Sequence, residues 1–131
     1  MANSEHLAKI KEGVAAWNGW RRDNPAVVSD LDGAQLSAAK LVNANLVKAN
    51  LSEADLSGAN LCGSLLMEST LADADLSDAK LRNADMRLAD LFGSSLEDAD
   101  LSGADLRMAN LRETDLWDAD LNPGQSRRNG R

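Results

Sequence analysis

Ala54-Asp55-Leu56-Ser57-Gly58-Ala59-Asn60-Leu61-Cys62-Gly63 holds two copies of one five-residue pattern: a small residue, a short polar residue, a leucine and two variable positions. Read outward in both directions, the leucine keeps its phase without an insertion. It stands at 31, 36, 41, 46, 51, 56, 61, 66, 71, 76 and 81, then at 91, 96, 101, 106, 111, 116 and 121, with Met86 filling the one gap. Two residues before each leucine from Leu36 onward the side chain is small. It is Ser at 64, 69 and 94, Thr at 114 and Ala elsewhere.

A period of five fits neither regular element along a straight chain. On an α-helix five residues advance by about 500°, so successive leucines wind around the axis. On a strand side chains alternate, and an odd spacing sends successive leucines to opposite faces. The pattern is consistent if the chain turns once per repeat, at the fourth and fifth residues. The alanine and leucine of each repeat then share an inward face, and closed coils stack with backbone hydrogen bonds along the axis. Leu36, Leu56, Leu76, Met86, Leu96 and Leu116 are expected in the core column. Each buried leucine contributes roughly 1.5–3 kcal/mol. Phe92 and Trp117 fall just after a central leucine, so they are expected outside.

Runs such as Ala54-Asp55-Leu56-Ser57-Gly58 and Ala104-Asp105-Leu106-Arg107-Met108 resemble the A(D/N)LXX signature of pentapeptide-repeat proteins. The resemblance covers residues 29–122, roughly seven-tenths of the chain. It implies an all-β solenoid, a right-handed quadrilateral β-helix with four repeats to a coil and an N-terminal α-helical cap. The repeats then make between four and five coils. With about 4.8 Å between stacked strands, the prism is on the order of 22 Å long.

Three segments follow: residues 1–28 as a capping helix and lead-in, 29–122 as the β-helix, and 123–131 as a polar, mobile tail. In the leader, Leu7, Ile10, Val14 and Trp17 recur at helical spacing, which predicts one helix over 4–22. Asn3 or Ser4 caps its start, Pro25 stops it, and Trp17 and Trp20 plug the end of the prism. His6, the only histidine, is expected at the surface of this helix. The last coil has no comparable cover, and open strand edges invite pairing. Relatives often pair through their C-terminal coils, so the resemblance implies a homodimer.

Four repeats per coil place residues twenty apart in columns, so the surface reads face by face. The face of Leu36, Leu56, Leu76, Leu96 and Leu116 carries Asp55, Asp75, Asp78, Glu97, Asp98, Asp115 and Asp118, with no base. The preceding face carries Asp30, Asp32, Glu53, Asp73, Asp90 and Glu113 against Arg112 alone. On the face of Leu46, Leu66, Met86 and Leu106, acids and bases balance. Val47, Leu65, Met67, Leu88 and Met108 point outward there as an apolar strip. Such a strip on a small protein marks an interaction surface.

No Ser–His–Asp set, phosphate loop or Cys/His metal cluster can be assembled from these residues. Calcium needs six to eight converging oxygens, which a flat acidic column does not supply. No cofactor and no enzymatic activity are expected. The formal charge of −7 disfavours direct nucleic-acid binding. No stretch has the apolar length of a membrane span, and the start of the sequence lacks a signal-peptide core. Cys62 is the only cysteine, so a cytoplasmic setting is expected. The pattern therefore points to a non-enzymatic scaffold for an unknown protein partner. The alternative comes from the resemblance: some pentapeptide-repeat proteins mimic duplex DNA and bind DNA gyrase. Duplex DNA presents about one charge per 1.7 Å, and the thirteen acids of two adjoining faces approach that density.

Overall fold

The computed structural model describes residues 1–123, so the expected mobile tail lies, beyond Pro123, outside the described residues. Within each repeat the leucine carbonyl accepts a hydrogen bond from the amide three residues on. The series runs from Leu31–Ala34 at 3.0 Å to Leu116–Ala119 at 3.0 Å. The second residue inside every one of these turns, from Gly33 to Asp118, has φ between +56° and +72°. A tight turn whose second central residue alone is left-handed has the signature of type II. Thirteen of these corner residues are not glycine. An L-residue pays roughly 1–2 kcal/mol there, which Asn and Asp relieve by local hydrogen bonding.

The corners redirect the chain so that each residue before a leucine pairs in parallel with the residue twenty further on, from Asp30–Asn50 to Asp100–Asp120. Each side of the prism contributes three ladder bonds. On one side Leu56 N–H donates to Asp75 O and Gly58 N–H to Ser77 O, while Asp75 N–H returns to Ala54 O, all at 2.8–2.9 Å. Four five-residue sides therefore make one circuit. Leu56, Leu76, Met86 and Leu96 are fully buried, and Leu36 nearly so. Leu116 departs from the expected core column: it is only half-buried, because no coil stacks beyond it among the described residues.

Serine replaces alanine inside the prism where its hydroxyl can turn back. Ser69 and Ser94 donate to the carbonyls of Leu66 and Leu91 at 2.7 Å. The equally buried hydroxyl of Ser64 has no partner among the described residues. Small residues are also required at some corners. The Asn43 side chain folds down onto the next coil, so a Cβ at Gly63 would collide with its Oδ1. Asp73 and Asn83 stand in the same relation to Gly93 and Gly103, whereas Gly33 and Gly58 face open space.

The leader is not one helix over 4–22. It forms α1 (Ser4–Lys11) and α2 (Val14–Asp23), separated by Gly13 at φ +116°, a backbone only glycine adopts without strain. The break lets both apolar faces meet the first coil: Ile10 and Trp17 are buried, and Leu7, Val14 and Trp20 half-buried. Asn3 caps α1, its Oδ1 accepting from the amides of Glu5 and His6.

Two contrasts test this account. Ser64→Ala should raise the unfolding free energy by up to about 1 kcal/mol, while Ser69→Ala lowers it by about 1 kcal/mol, read by urea titration. Gly63→Ala should destabilise more than Gly58→Ala, by on the order of 1–3 kcal/mol for the added collision. Asn43→Ala in the Gly63→Ala background should remove most of that difference.

Candidate functional site

Every outward side chain belongs to one of three positions, and each does a different job. At the position before the leucine, Asp or Asn most often turns its Oδ1 onto the amide two residues on, as Asp55 does to Ser57 at 3.0 Å and Asp115 to Trp117 at 3.0 Å. Ser57 and Ser77 add hydroxyl bonds of 2.6 Å to Asp55 and Asp75. The Ser57 hydroxyl, and then its amide, hold the Asp55 carboxyl below the usual carboxylate range. These acids brace the turn. The signature Asp/Asn is thus a structural requirement before it is a surface charge.

Corner acids are different. Asp78, Asp98 and Asp118 follow one another up a single edge of the prism with exposed side chains. Among the described residues neither they nor Glu97 form an ion pair, and their carboxylates accept no hydrogen bond within the protein. Asp55, Asp75 and Asp115 lie on the adjoining side. The acidic face carries uncompensated charge, concentrated at this edge.

The neutral side is wired internally. Arg87 grips Asp85 through Nε at 2.8 Å and Nη2 at 2.7 Å, and Arg107 grips Asp105 through Nε at 2.9 Å and Nη2 at 2.7 Å. The Arg87 Nε also lies 3.9 Å from Asp105, which links the two pairs. Hydrogen bonds from Arg107 hold the Asp105 carboxyl at about 2, and those from Arg87 lower that of Asp85.

The expected apolar strip is not continuous. Arg87 Nη2 lies 2.8 Å from Met67 Sδ, and Val47 and Met67 are only half-buried remnants beneath the charged ladder. Leu65 and Leu88 are exposed, and Met108 keeps 82% of its surface free. Leu88 and Met108 stack one above the other, so the exposed part is a corner column beside the ladder. It leads toward the open end, where Leu106, Leu111 and Leu116 are half-buried and Trp117 and Leu121 are 68% and 54% exposed. Phe92 is also exposed. Cys62 is half-buried.

Sequence reasoning missed how the leader closes the first coil. His6 is buried instead of exposed, because Asp30 N–H has no preceding coil to donate to and finds His6 Nδ1 at 2.9 Å. The imidazole packs against Trp20 at 4.8 Å between centroids. Asn18 lies within α2. Its Oδ1 accepts from Asn45 N–H at 2.8 Å and its Nδ2 donates to Asn43 O at 3.0 Å. Trp17 Nε1 donates to Asn45 O at 2.8 Å. The only signal for these roles in the sequence is a set of polar residues among the apolar positions of the leader.

Among the described residues no group of His, Cys, Asp and Glu could hold a metal ion, and no helix is long and apolar enough to cross a membrane. A comparison with family profiles matches residues 29–66, 69–107 and 89–122 to pentapeptide repeats, in eight copies. Among solved structures, the chain is similar to the pentapeptide-repeat protein Rfr23 of the cyanobacterium Cyanothece 51142. The two are 41% identical over 66% of this chain and 58% of that one, with a TM-score of 0.65. This chain therefore spans little more than half the length of Rfr23. It is 28% identical to a pentapeptide-repeat protein of the Arabidopsis thaliana thylakoid lumen over 77% of this chain and 72% of that one, at TM-score 0.44. It is 27% identical to a trypsin-treated form of QnrB1, a plasmid-mediated fluoroquinolone resistance protein, over 67% and 51%, at TM-score 0.47. No curated protein matches. The chain belongs to the pentapeptide-repeat family, whose fold is a right-handed quadrilateral β-helix and whose members are generally non-catalytic scaffolds.

The Asp105 pair gives a direct check of the neutral ladder. Its carboxyl titrates near 2 in the folded protein, and Arg107→Gln should move that midpoint upward toward the ordinary value of 3.8, read by carboxyl-carbon NMR. Because the folded value is the depressed one, the pair contributes above pH 4 and its contribution fades as pH falls toward 2.

Proposed function

We propose that this chain is a non-enzymatic protein-interaction scaffold that docks a protein partner on the neutral side. The observation that carries the reading is the exposed column of Leu88 and Met108, with Leu65 beside the ladder of Asp85, Arg87, Asp105 and Arg107. Paired charges beside an apolar spot lower the desolvation cost of covering it, since Asp85 and Asp105 are already matched by Arg87 and Arg107. Flexible methionine side chains suit such a contact.

The same reading includes a homodimer through the C-terminal coil. Each interior side offers three ladder bonds to the coil below, and the last coil offers the same groups to nothing among the described residues. Leu106, Leu111 and Leu116, with Trp117 and Leu121 at the rim, supply the apolar area that end-to-end stacking would cover.

A second reading rests on Asp78, Asp98 and Asp118, which stand along one edge without any basic partner while the neutral side pairs its acids. On that reading the acidic side imitates the phosphate array of duplex DNA for a type II topoisomerase such as DNA gyrase. A stack of between four and five coils, on the order of 22 Å, is shorter than one duplex turn of about 34 Å. The mimic therefore needs the end-to-end dimer as well.

Proteins retained on the immobilised chain should be lost with Leu65→Glu plus Leu88→Glu and kept with Asp75, Asp78, Asp98 and Asp118 all changed to Lys. The reverse pattern, together with salt-sensitive inhibition of gyrase supercoiling, would replace the scaffold with the mimic. Sedimentation should give twice the 14.0 kDa chain mass, and Leu116→Arg should return it to the monomer.

A further inference from the structure

At the N-terminal end the leader meets two of the three ladder groups on each of two sides of the prism and none on the other two. A mid-stack side offers its upper neighbour one N–H and two carbonyls, as Asp75 N–H with the carbonyls of Asp75 and Ser77 shows. On the first coil, the leader supplies substitutes for two sides. His6 takes the amide of Asp30 and Asn3 N–H meets Asp30 O at 3.1 Å. Asn18 and Trp17 serve Asn45. On the two sides between, the equivalent groups are Gln35 N–H with the carbonyls of Gln35 and Ser37, and Lys40 N–H with those of Lys40 and Val42. None of these has a protein partner among the described residues, whereas the ladder between stacked coils is complete.

A groove of about 350 Å³ lies over this open edge, lined by Ile10, Lys11, Gly13, Gln35, Leu36, Ser37, Ala39, Lys40 and Leu41. Its floor is apolar, and its one wall is the bend between α1 and α2. Two lysines reach it and no carboxylate does, on a chain whose net charge is −7. An adjoining groove of about 350 Å³ shares Lys11 and Gln35 and holds Asp32 further along.

We propose that this groove receives an extended acidic peptide segment of a partner protein, added as a parallel strand to the Gln35–Ser37 edge. Three ladder bonds fix its backbone in the register that every interior side uses. A small apolar side chain points down onto Leu36 and Ala39, and a glutamate or aspartate on the flanking position lies between Lys11 and Lys40. Strand addition takes its affinity from the main chain and its selectivity from alternate side chains. Here the selectivity is for negative charge. The site stands apart from the Leu88–Met108 column and does not depend on what docks there.

The test uses the full chain, ¹⁵N-labelled, and an acetylated, amidated pentapeptide alternating valine and glutamate. A control peptide carries lysine in place of glutamate. Saturable shifts at the amides of Gln35 and Lys40 are expected, with at least tenfold slower hydrogen exchange at Gln35, and neither effect at Asp30 or Asn45. Lys11→Glu with Lys40→Glu, both exposed and outside the core, should weaken binding tenfold or more while leaving the circular dichroism unchanged. Three results would overturn the proposal. They are no shift at millimolar peptide, an equal response to the lysine peptide, and shifts at Gln35 and Lys40 that track protein concentration without peptide, which would make the occupant a second copy.

Discussion

The structure depends on a left-handed corner in every repeat. Each corner residue sits at φ near +60°, and that backbone returns the next inward alanine and leucine to the axis. Remove the corners and the period of five has no fold to support. The strain is small per residue but is repeated at thirteen non-glycine positions. It is sustained because each corner also aligns three ladder bonds on its side with the side one coil below. Twist or slip at one corner would therefore break register on every later side, which accounts for the unbroken phase of the repeats from Leu31 to Leu121.

That register divides the surface into residues that serve the fold and residues left free. Asp55 and Asp75 look like surface charge in the sequence, yet each binds its own turn twice through a serine two residues on. Asp78 and Asp98 occupy corners, where Asp is tolerated for its backbone and its carboxylate is unspent. All of these acids carry charge, and geometry shows which carboxylates are left free of the turn to contact a partner. The neutral side follows the same logic in reverse: Arg87 and Arg107 reach back to the acids of their own repeats and leave little net field there.

The repeat region was legible because its signal is periodic. Leu56, Leu76, Met86 and Leu96 sit at the axis for the reason their spacing gives, and the family resemblance chose four sides where the period alone could not. What the sequence hid lies where periodicity stops. The bend at Gly13 looked like one glycine in a helical run, although the residues it joins, Ile10 and Trp17, keep a single apolar phase. His6 carried no pattern, and its burial follows from an unpaired amide at Asp30 that only the folded coil creates. Arg87 lay outside any apolar count, yet it covers Met67 and breaks a strip that the columns drew as continuous. Leu116 keeps the phase of the core and loses the burial, because burial is a property of the neighbouring coil.

The interior of such a stack is self-satisfying, so specificity must concentrate where the pattern ends or is interrupted. A mid-stack side has all its ladder groups paired with the coils above and below, and its outward residues vary without consequence for the ladder. Each end of the described stack has spare groups by construction. At the C-terminal end they come with half-buried leucines, which suits a second surface of the same periodicity. At the N-terminal end two helices replace a coil imperfectly: side chains from His6, Asn18 and Trp17 imitate its bonds on two sides and stop there. Helices cannot offer a strand edge, because their own amides and carbonyls are already used. Any helical cap on this fold must therefore either spend one side chain per exposed group or leave part of the ladder open to a partner. This leader does both, and the part it leaves open is the part lined by Lys11 and Lys40.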